Sequence, residues 1–363
     1  MKKIISVVGA RPNFMKIAPL HRAFIPHAGV VKHMICHTGQ HFDENMSRIF
    51  FEELELPQPD FYLGVGGGSH AEQTARIMTG FEKVLLDETP DLVVVPGDVN
   101  STLAASLVAS KMGIPVAHIE AGLRSFDRTM PEEINRMVTD ILAGYLFVSE
   151  PSGLTNLRKE GISEEKMYHV GNIMIDSLVH YLPKTENTTA MNNLGLQTRD
   201  YVLVTFHRPN NVDLKEKLNE LVHFLNRLSE RKKVVFPVHP RTRINLEQYR
   251  LIKELKSRVI LTEPMGYIDF LSLTRHALLV VTDSGGIQEE TTWLGVPCIT
   301  VRDNTERPVT VDRGTNVLAG TNLHRVQELA GEVLQGKTKK GEIPEYWDGK
   351  TAERIVQILL RKL

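Results

Sequence analysis

Only two cysteines, Cys36 and Cys298, occur in 363 residues. That excludes a disulfide framework as the source of stability. Both lie in apolar, β-branched runs, which reads as two buried thiols of a reducing compartment. Long apolar runs are missing as well. No stretch reaches the roughly 18 residues of a membrane-spanning helix. The N-terminal "MKKIISVVGARPNF" meets Arg11 and Pro12 too soon for a signal peptide. Excess charge of one sign is also absent: 43 Lys and Arg stand against 44 Asp and Glu, a net charge of −1. No global basic field invites nucleic acid or an anionic membrane. These absences together predict a cytoplasmic protein. Nor is there a G-x-G-x-x-G fingerprint. The nearest match, Gly64-Val65-Gly66-Gly67-Gly68-Ser69, fails at its last position and reads as a loop, so no nicotinamide cofactor is expected. His37 and His41 have i,i+4 spacing, but Gly39 interrupts any helix there and nothing completes a metal site. No G-x-S-x-G elbow marks a serine nucleophile.

What remains is ordinary globular composition, 42% apolar and 24% charged, in a chain long enough for two domains. Apolar strand-like runs occur at Ile4–Val8, Val93–Val95, Val116–Ile119, Tyr145–Val148, Tyr201–Thr205, Val234–Val238, Val259–Leu261, Leu278–Thr282 and Cys298–Val301. Helical stretches such as Asn100–Met112, Glu132–Leu142 and Asp213–Glu230 separate them. Near-continuous apolar strands alternating with helices predict parallel sheets covered on both faces.

The two halves echo each other. "LVVVPGDVNSTLAASLVASKMGIPVAHIEAG" and "LLVVTDSGGIQEETTWLGVPCITVRDN" both read strand, acidic turn, helix, Gly-x-Pro, strand. Two Rossmann-like domains are therefore expected, residues 1–182 and 183–349, facing one cleft. The polar, Asn/Thr-rich stretch from Pro183 to Asp200 is the linker candidate. Open parallel sheets bind ligands beyond the carboxyl ends of their strands, so the turns after the strands carry the candidates.

In "VVGARPNFMK", Arg11 and Lys16 sit at a helix start, where cations oppose the dipole unless an anion faces them. "PGDVNST" places Asp98 between a strand and a helix, and "AHIEAG" places Glu120 just past a strand. In "RTMPEEINRM", Thr129 and Glu132 fit a capping box with Pro131 in the first turn, so structure alone could account for Glu132. His207 and Arg208 end the first strand of the second half, His239 ends the next, and Arg307 follows another. Ser284-Gly285-Gly286 turns the chain between a strand and a helix that carries Glu290. Unpaired N–H groups at that helix start favour an anion. Glu290, one turn on, suits sugar hydroxyls, as acidic residues do in dinucleotide sites. Cations and backbone donors in both halves, with three carboxylates in the first, suit a nucleotide diphosphate-sugar.

"GARPNFMK", "HTGQHFD", "PGDVNST", "HIEAGLR", "PEEINR", "PVHPRT", "TDSGGIQEE" and "NTERPVTV", in order across residues 1–320, resemble the non-hydrolysing UDP-N-acetylglucosamine 2-epimerases. The resemblance implies an α/β fold of two Rossmann-like domains in a glycosyltransferase-B-like arrangement with an inter-domain cleft. It also implies a last helix, within 350–363, that packs back on the first domain. The implied reaction interconverts UDP-N-acetylglucosamine and UDP-N-acetylmannosamine without a cofactor or metal, in a homodimer. Asp98, Glu120 and Glu132 match the proton-transfer positions. Arg11, Lys16, His207, His239 and Ser284 through Gly286 match positions near the diphosphate, with His207 counted among the catalytic residues. Glu290 matches the ribose position and Phe270 a position beside the uracil. Gln40, His41 and Arg208 match residues through which some members bind a second substrate molecule, while Glu72 stands where an arginine is expected.

Overall fold

The computed structural model describes residues 1–40 and 54–363, with Arg11 by its backbone alone. The chain forms two units, Met1–Ser177 with Glu345–Leu363, and Leu178–Pro344.

The first unit is built on a seven-stranded sheet in the order β3-β2-β1-β4-β5-β6-β7, with every pair parallel. Its strands are β1 (Lys2–Val8), β2 (Val31–His37), β3 (Phe61–Tyr62), β4 (Leu92–Pro96), β5 (Val116–Ile119), β6 (Tyr145–Val148) and β7 (Met167–His169). The helices that matter for the site are α1 (Arg11–Phe24), α2 (His70–Glu88), α3 (Asn100–Lys111), α4 (Pro131–Leu142) and α5 (Pro151–Lys159). β4, "LVVVP", is buried along its whole length. Val93 and Val95 face a core shared with Ile5, Val7, Phe81, Leu85 and Val108. A strand buried on both faces needs no alternation, hence the continuous valines.

The glycine-rich stretch before α2 is a loop, as its sequence predicts, but a helix does follow it. Ser69 caps α2: its Oγ accepts from Glu72 N at 3.2 Å while Glu72 Oε2 accepts from Ser69 N at 2.9 Å. The strand ahead of that loop is only two residues long.

The second unit has a six-stranded parallel sheet in the order β10-β9-β8-β11-β12-β13. Its strands are β8 (Tyr201–Thr205), β9 (Lys233–Pro237), β10 (Val259–Thr262), β11 (Leu279–Thr282), β12 (Cys298–Thr300) and β13 (Asn316–Leu318). Relevant helices are α6 (Lys215–Ser229), α7 (Pro240–Gln248), α8 (Tyr267–His276) and α9 (Gly285–Leu294). The polar stretch from Pro183 to Asp200 is folded rather than a free linker. It contains a 3-10 turn over Leu182–Asn187 and a short helix over Ala190–Asn193, and buries Ala190 and Leu196 in the core of this unit.

The terminal helix, Thr351–Lys362, returns to the first unit and packs on α1. It buries Ala352, Ile355, Val356 and Leu359, the i, i+3, i+4, i+7 stripe of a helix with one apolar face. Asp176 holds its start by accepting from Thr351 N at 3.1 Å and Ala352 N at 2.7 Å. Both cysteines are buried and free, Cys36 in β2 and Cys298 in β12. Burial pushes the Cys298 thiol up to about 11 and that of Cys36 higher still, so both stay protonated at neutral pH.

Candidate functional site

In the first unit the turns after β1, β4 and β5 adjoin. Gly97 adopts φ +67° right after β4, where a Cβ would come within 2.8 Å of Lys16 Nζ. Glycine meets both demands without strain. Glu120, just past β5, also lies in the left-handed region, at φ +70°. That is uncommon for a residue with a side chain and marks a constrained backbone, the kind found at sites of function. Lys16, from the second turn of α1, reaches Glu120 Oε2 at 2.6 Å, with the two side chains 6% and 4% exposed. The carboxylate that faces Lys16 in the fold is therefore Glu120. Breaking such a buried pair leaves one charge uncompensated.

Arg11 heads α1, and its side chain lies outside the described residues. Asn13 fixes the turn before it: Oδ1 accepts from Gly9 N and Ala10 N at 3.1 and 3.0 Å, and Nδ2 donates to Pro96 O at 3.0 Å.

Asp98 keeps 30% of its side chain exposed and accepts from Arg136 Nε at 2.9 Å. Asn135 Nδ2 donates to the Asp98 carbonyl at 2.8 Å. Both partners come from α4, and here the expected capping box fails. The N-cap of α4 is Met130, without a side-chain cap, and Thr129 Oγ1 donates to Asp127 Oδ1 at 2.6 Å instead. Pro131 does occupy the first helical position. The buried acid of this helix's first turn is Glu133, not its neighbour. Glu133 accepts from Ser125 N and Phe126 N, each at 2.9 Å, and from Arg136 Nη1 at 2.5 Å. Glu132 stays half-buried and is thus left without the capping duty that could have accounted for it. Glu133 was not singled out in the sequence. Two adjacent glutamates at a helix start are told apart only by which of them faces inward.

In the second unit the organising group is Asp283, which follows β11 and is fully buried. Its carboxylate accepts from His207 N at 3.1 Å, Arg208 N at 2.9 Å and Asn211 Nδ2 at 3.0 Å. It also meets His207 Nδ1 at 2.9 Å. Burial pushes the Asp283 carboxyl up, but the His207 contact and the other donors prevail and hold it below its ordinary value. The His207–Arg208 turn is thus clamped from beneath, with the His207 imidazole oriented through Nδ1.

His239 lies beside it, ring centroids 5.7 Å apart. Its Nδ1 caps α7 by accepting from Arg241 N at 3.2 Å. Partial burial and the neighbouring His207 lower its pKa, which favours a neutral ring with Nε2–H as donor.

The Ser284-Gly285-Gly286 segment differs from the expected turn. Ser284 alone is non-helical, as N-cap, and both glycines open α9. Neither adopts positive φ. A Cβ on Gly285 would come within 2.8 Å of Arg307 Nη1 and 2.9 Å of Glu306 Oε1, whereas one on Gly286 would meet no protein atom within 4 Å. Gly285 therefore makes room for an ion-pair cluster, and Gly286 leaves the helix start bare. Arg307 is held in that cluster at 2.7 Å from both Glu289 and Glu306, so its charge is already matched within the fold. Glu290 is buried in the second turn of α9. Phe270 lies on α8, partly buried against the core. Gln40 Oε1 accepts from Ser101 Oγ at 2.7 Å, and Glu72 caps α2. His41 lies outside the described residues.

Among the described residues, no group of three or more His, Cys, Asp or Glu could hold a metal ion, and no helix is long and apolar enough to cross a membrane.

A family model described as UDP-N-acetylglucosamine 2-epimerase matches residues 25–360. A UDP-N-acetylglucosamine 2-epimerase of Methanocaldococcus jannaschii is 47% identical over 364 residues, covering 98% of each chain. A UDP-2,3-diacetamido-2,3-dideoxy-D-glucuronate 2-epimerase of Pseudomonas aeruginosa is 42% identical over 363 residues, covering 99% of each. The crystal structure of the Methanocaldococcus jannaschii UDP-GlcNAc 2-epimerase in complex with UDP-GlcNAc and UDP matches with a TM-score of 0.90 at 46% identity, over 99% of this chain and 100% of that one. A lipopolysaccharide outer core galactosyltransferase, 14% identical, matches with a TM-score of 0.57 and shares the fold. The two parallel Rossmann-like sheets thus define an α/β protein of the glycosyltransferase-B-like class. Within that class, the chain belongs to the UDP-N-acetylglucosamine 2-epimerase family.

Proposed function

We propose that this protein is a non-hydrolysing 2-epimerase that interconverts UDP-N-acetylglucosamine and UDP-N-acetylmannosamine. The observation that carries it is a pair of carboxylates, Asp98 and Glu120, at the carboxyl ends of adjacent strands, each paired with its own cation.

The chemistry calls for such a pair. The C2 hydrogen of the sugar is not acidic, because no carbonyl adjoins C2. Departure of UDP from C1 gives that carbon oxocarbenium character and makes the hydrogen removable. A base takes the proton, and a 2-acetamidoglucal results. Re-addition of UDP with protonation on the other face gives the epimer. An acid and a base are needed on opposite faces, and Asp98, Glu120 and Glu132 are the candidates. The Lys16–Glu120 contact couples the two tasks: a diphosphate that draws Lys16 toward itself loosens its grip on Glu120. His207 Nε2, oriented through Asp283, and His239 Nε2 are donors for charge developing on UDP. Arg11 and the bare start of α9 at Ser284–Gly286 add to the anion grip. Glu290 and Phe270 are assigned to ribose and uracil. Arg307 acts on the anion through the rim of its ion-pair cluster.

Incubation in deuterated water followed by proton NMR tests this directly. Intact UDP-sugar with deuterium at C2 is expected. Free sugar would mean hydrolysis, and UDP-sugar with no exchange would favour a transferase. The 42% identity to the diacetamido-glucuronate enzyme supports a second substrate, so the assay should be run on both nucleotide sugars.

Two finer points belong to the same proposal. The protein acts as a homodimer, supported by an apolar stripe on α4, where Ile134 and Ile141 are 48% and 63% exposed one heptad apart. Light scattering on Ile141→Glu should show a shift to monomer. It works in the cytoplasm, which its two free thiols favour.

A further inference from the structure

Beneath the two carboxylate turns lies a buried polar pair that the proposed chemistry does not use. His118, in β5, and Asp140, on α4, have side chains with no exposure at all, and His118 Nδ1 lies 2.6 Å from Asp140 Oδ1. His118 Nε2 lies 2.8 Å from the Gly97 carbonyl. A carbonyl only accepts, so Nε2 carries a hydrogen. The other Asp140 oxygen takes Gly122 N at 3.1 Å and the Arg124 guanidinium at 2.7 Å. Arg124 is itself balanced by Glu160 at 2.6 Å. Burial pushes the Asp140 carboxyl up, but His118 and Arg124 together bring it below its ordinary value. Asp140 Oδ1 closes the other side of the ring at Nδ1, so the imidazole is held at both nitrogens.

This buried ring joins two turns. Nε2 grips the residue immediately before Asp98. Through Asp140 the same ring holds Gly122 N, two residues past Glu120. Gly122 sits at φ +79°, and a Cβ there would fall 2.4 Å from the Gly153 carbonyl, so the turn has no slack in that direction. A buried ion pair is a poor source of net stability compared with apolar packing of the same volume. What it supplies here is geometry.

We propose that His118 and Asp140 are positioning residues that set Asp98 and Glu120 at a fixed separation. The inference rests on the reading that those carboxylates move the C2 proton.

Two experiments decide it. In His118→Gln and Asp140→Asn, kcat for C2 exchange should fall on the order of a hundredfold while KM for the UDP-sugar moves by less than about threefold. An exchange rate within about threefold of wild type in a folded variant would overturn the proposal. So would an equal loss of kcat and UDP binding that tracks a fall in thermal midpoint, since that is ordinary destabilisation. Should the variants fail to fold, nitrogen-15 NMR of histidine-labelled wild type still decides. The His118 ring should show Nε2 protonated, and an unprotonated Nε2 on His118 would refute the device. If wild type itself shows no C2 exchange, the epimerase reading fails, whereas the ring protonation stands or falls independently.

Discussion

Asp98 and Asp283 occupy matching places in the two units. Each follows the strand beside the unit's first strand, β4 beside β1 and β11 beside β8, and each leads into a helix. Their roles diverge because their partners do. Asp283 is surrounded by backbone and amide N–H groups, fully buried, and serves to shape the loop that carries His207. Asp98 meets a guanidinium from one side and keeps 30% of its side chain open. Repetition of a strand-turn-helix unit sets where a carboxylate stands. The donors around it decide whether it is scaffold or remains available for chemistry.

The sharpest way to break this comparison is to neutralise each acid in turn. Asp98→Asn and Glu120→Gln should each lower the rate of C2 deuterium exchange by about 10²–10⁴-fold, with UDP affinity by calorimetry little changed. Asp283→Ala should act the other way round. It strands the donors of His207, Arg208 and Asn211, so a stability loss of about 2–3 kcal/mol by urea titration is expected, with UDP binding weakened about tenfold. If Asp283→Ala keeps stability and loses only turnover, the division between scaffold and chemistry is wrong.

Acid titration sharpens the same contrast. Asp140 and Asp283 are both held below the ordinary aspartate value in the fold. A lowered folded pKa adds stability that is fully present above the unfolded value, about 3.9, and is lost as pH falls below it. The share of the urea midpoint that these two carboxylates supply should hold from neutral pH down toward that value and then drop. Asp283→Asn should lessen that drop.

The smallest effects come from the glycines of α9. Gly286→Ala meets no protein atom within 4 Å, so stability should change by less than about 1 kcal/mol while UDP affinity falls. Gly285→Ala presses on Arg307 and Glu306 and should cost about 1 kcal/mol even without ligand. Equal behaviour of the two variants in thermal melts would remove the distinction.

The α/β class was legible because central strands such as β4 and β11 are unbroken apolar runs. β2 was not, since Lys32 and His33 interrupt it. In the fold His33 is taken inside by Ser6 Oγ at 2.8 Å and by His21. β3, β7 and β13 are two or three residues long, too short to show a period. At the candidate site, strand ends could be read from the sequence, but partnerships could not. Lys16 with Glu120 and His207 with Asp283 are contacts between residues 104 and 76 positions apart. No local pattern records such a pair. The choice of Glu133 over Glu132 as the buried acid turned on a helix start at Pro131, with Met130 as N-cap, that displaced the expected cap.

The central claim is that the bond from C1 to the diphosphate breaks before the C2 proton leaves. Substrate carrying oxygen-18 in the bridging position between C1 and the β-phosphorus tests it most directly. Once free, the β-phosphate can rotate, so the label should scramble into non-bridging positions at least as fast as deuterium enters C2. Deuterium at C2 with the label still wholly in the bridge would contradict the account.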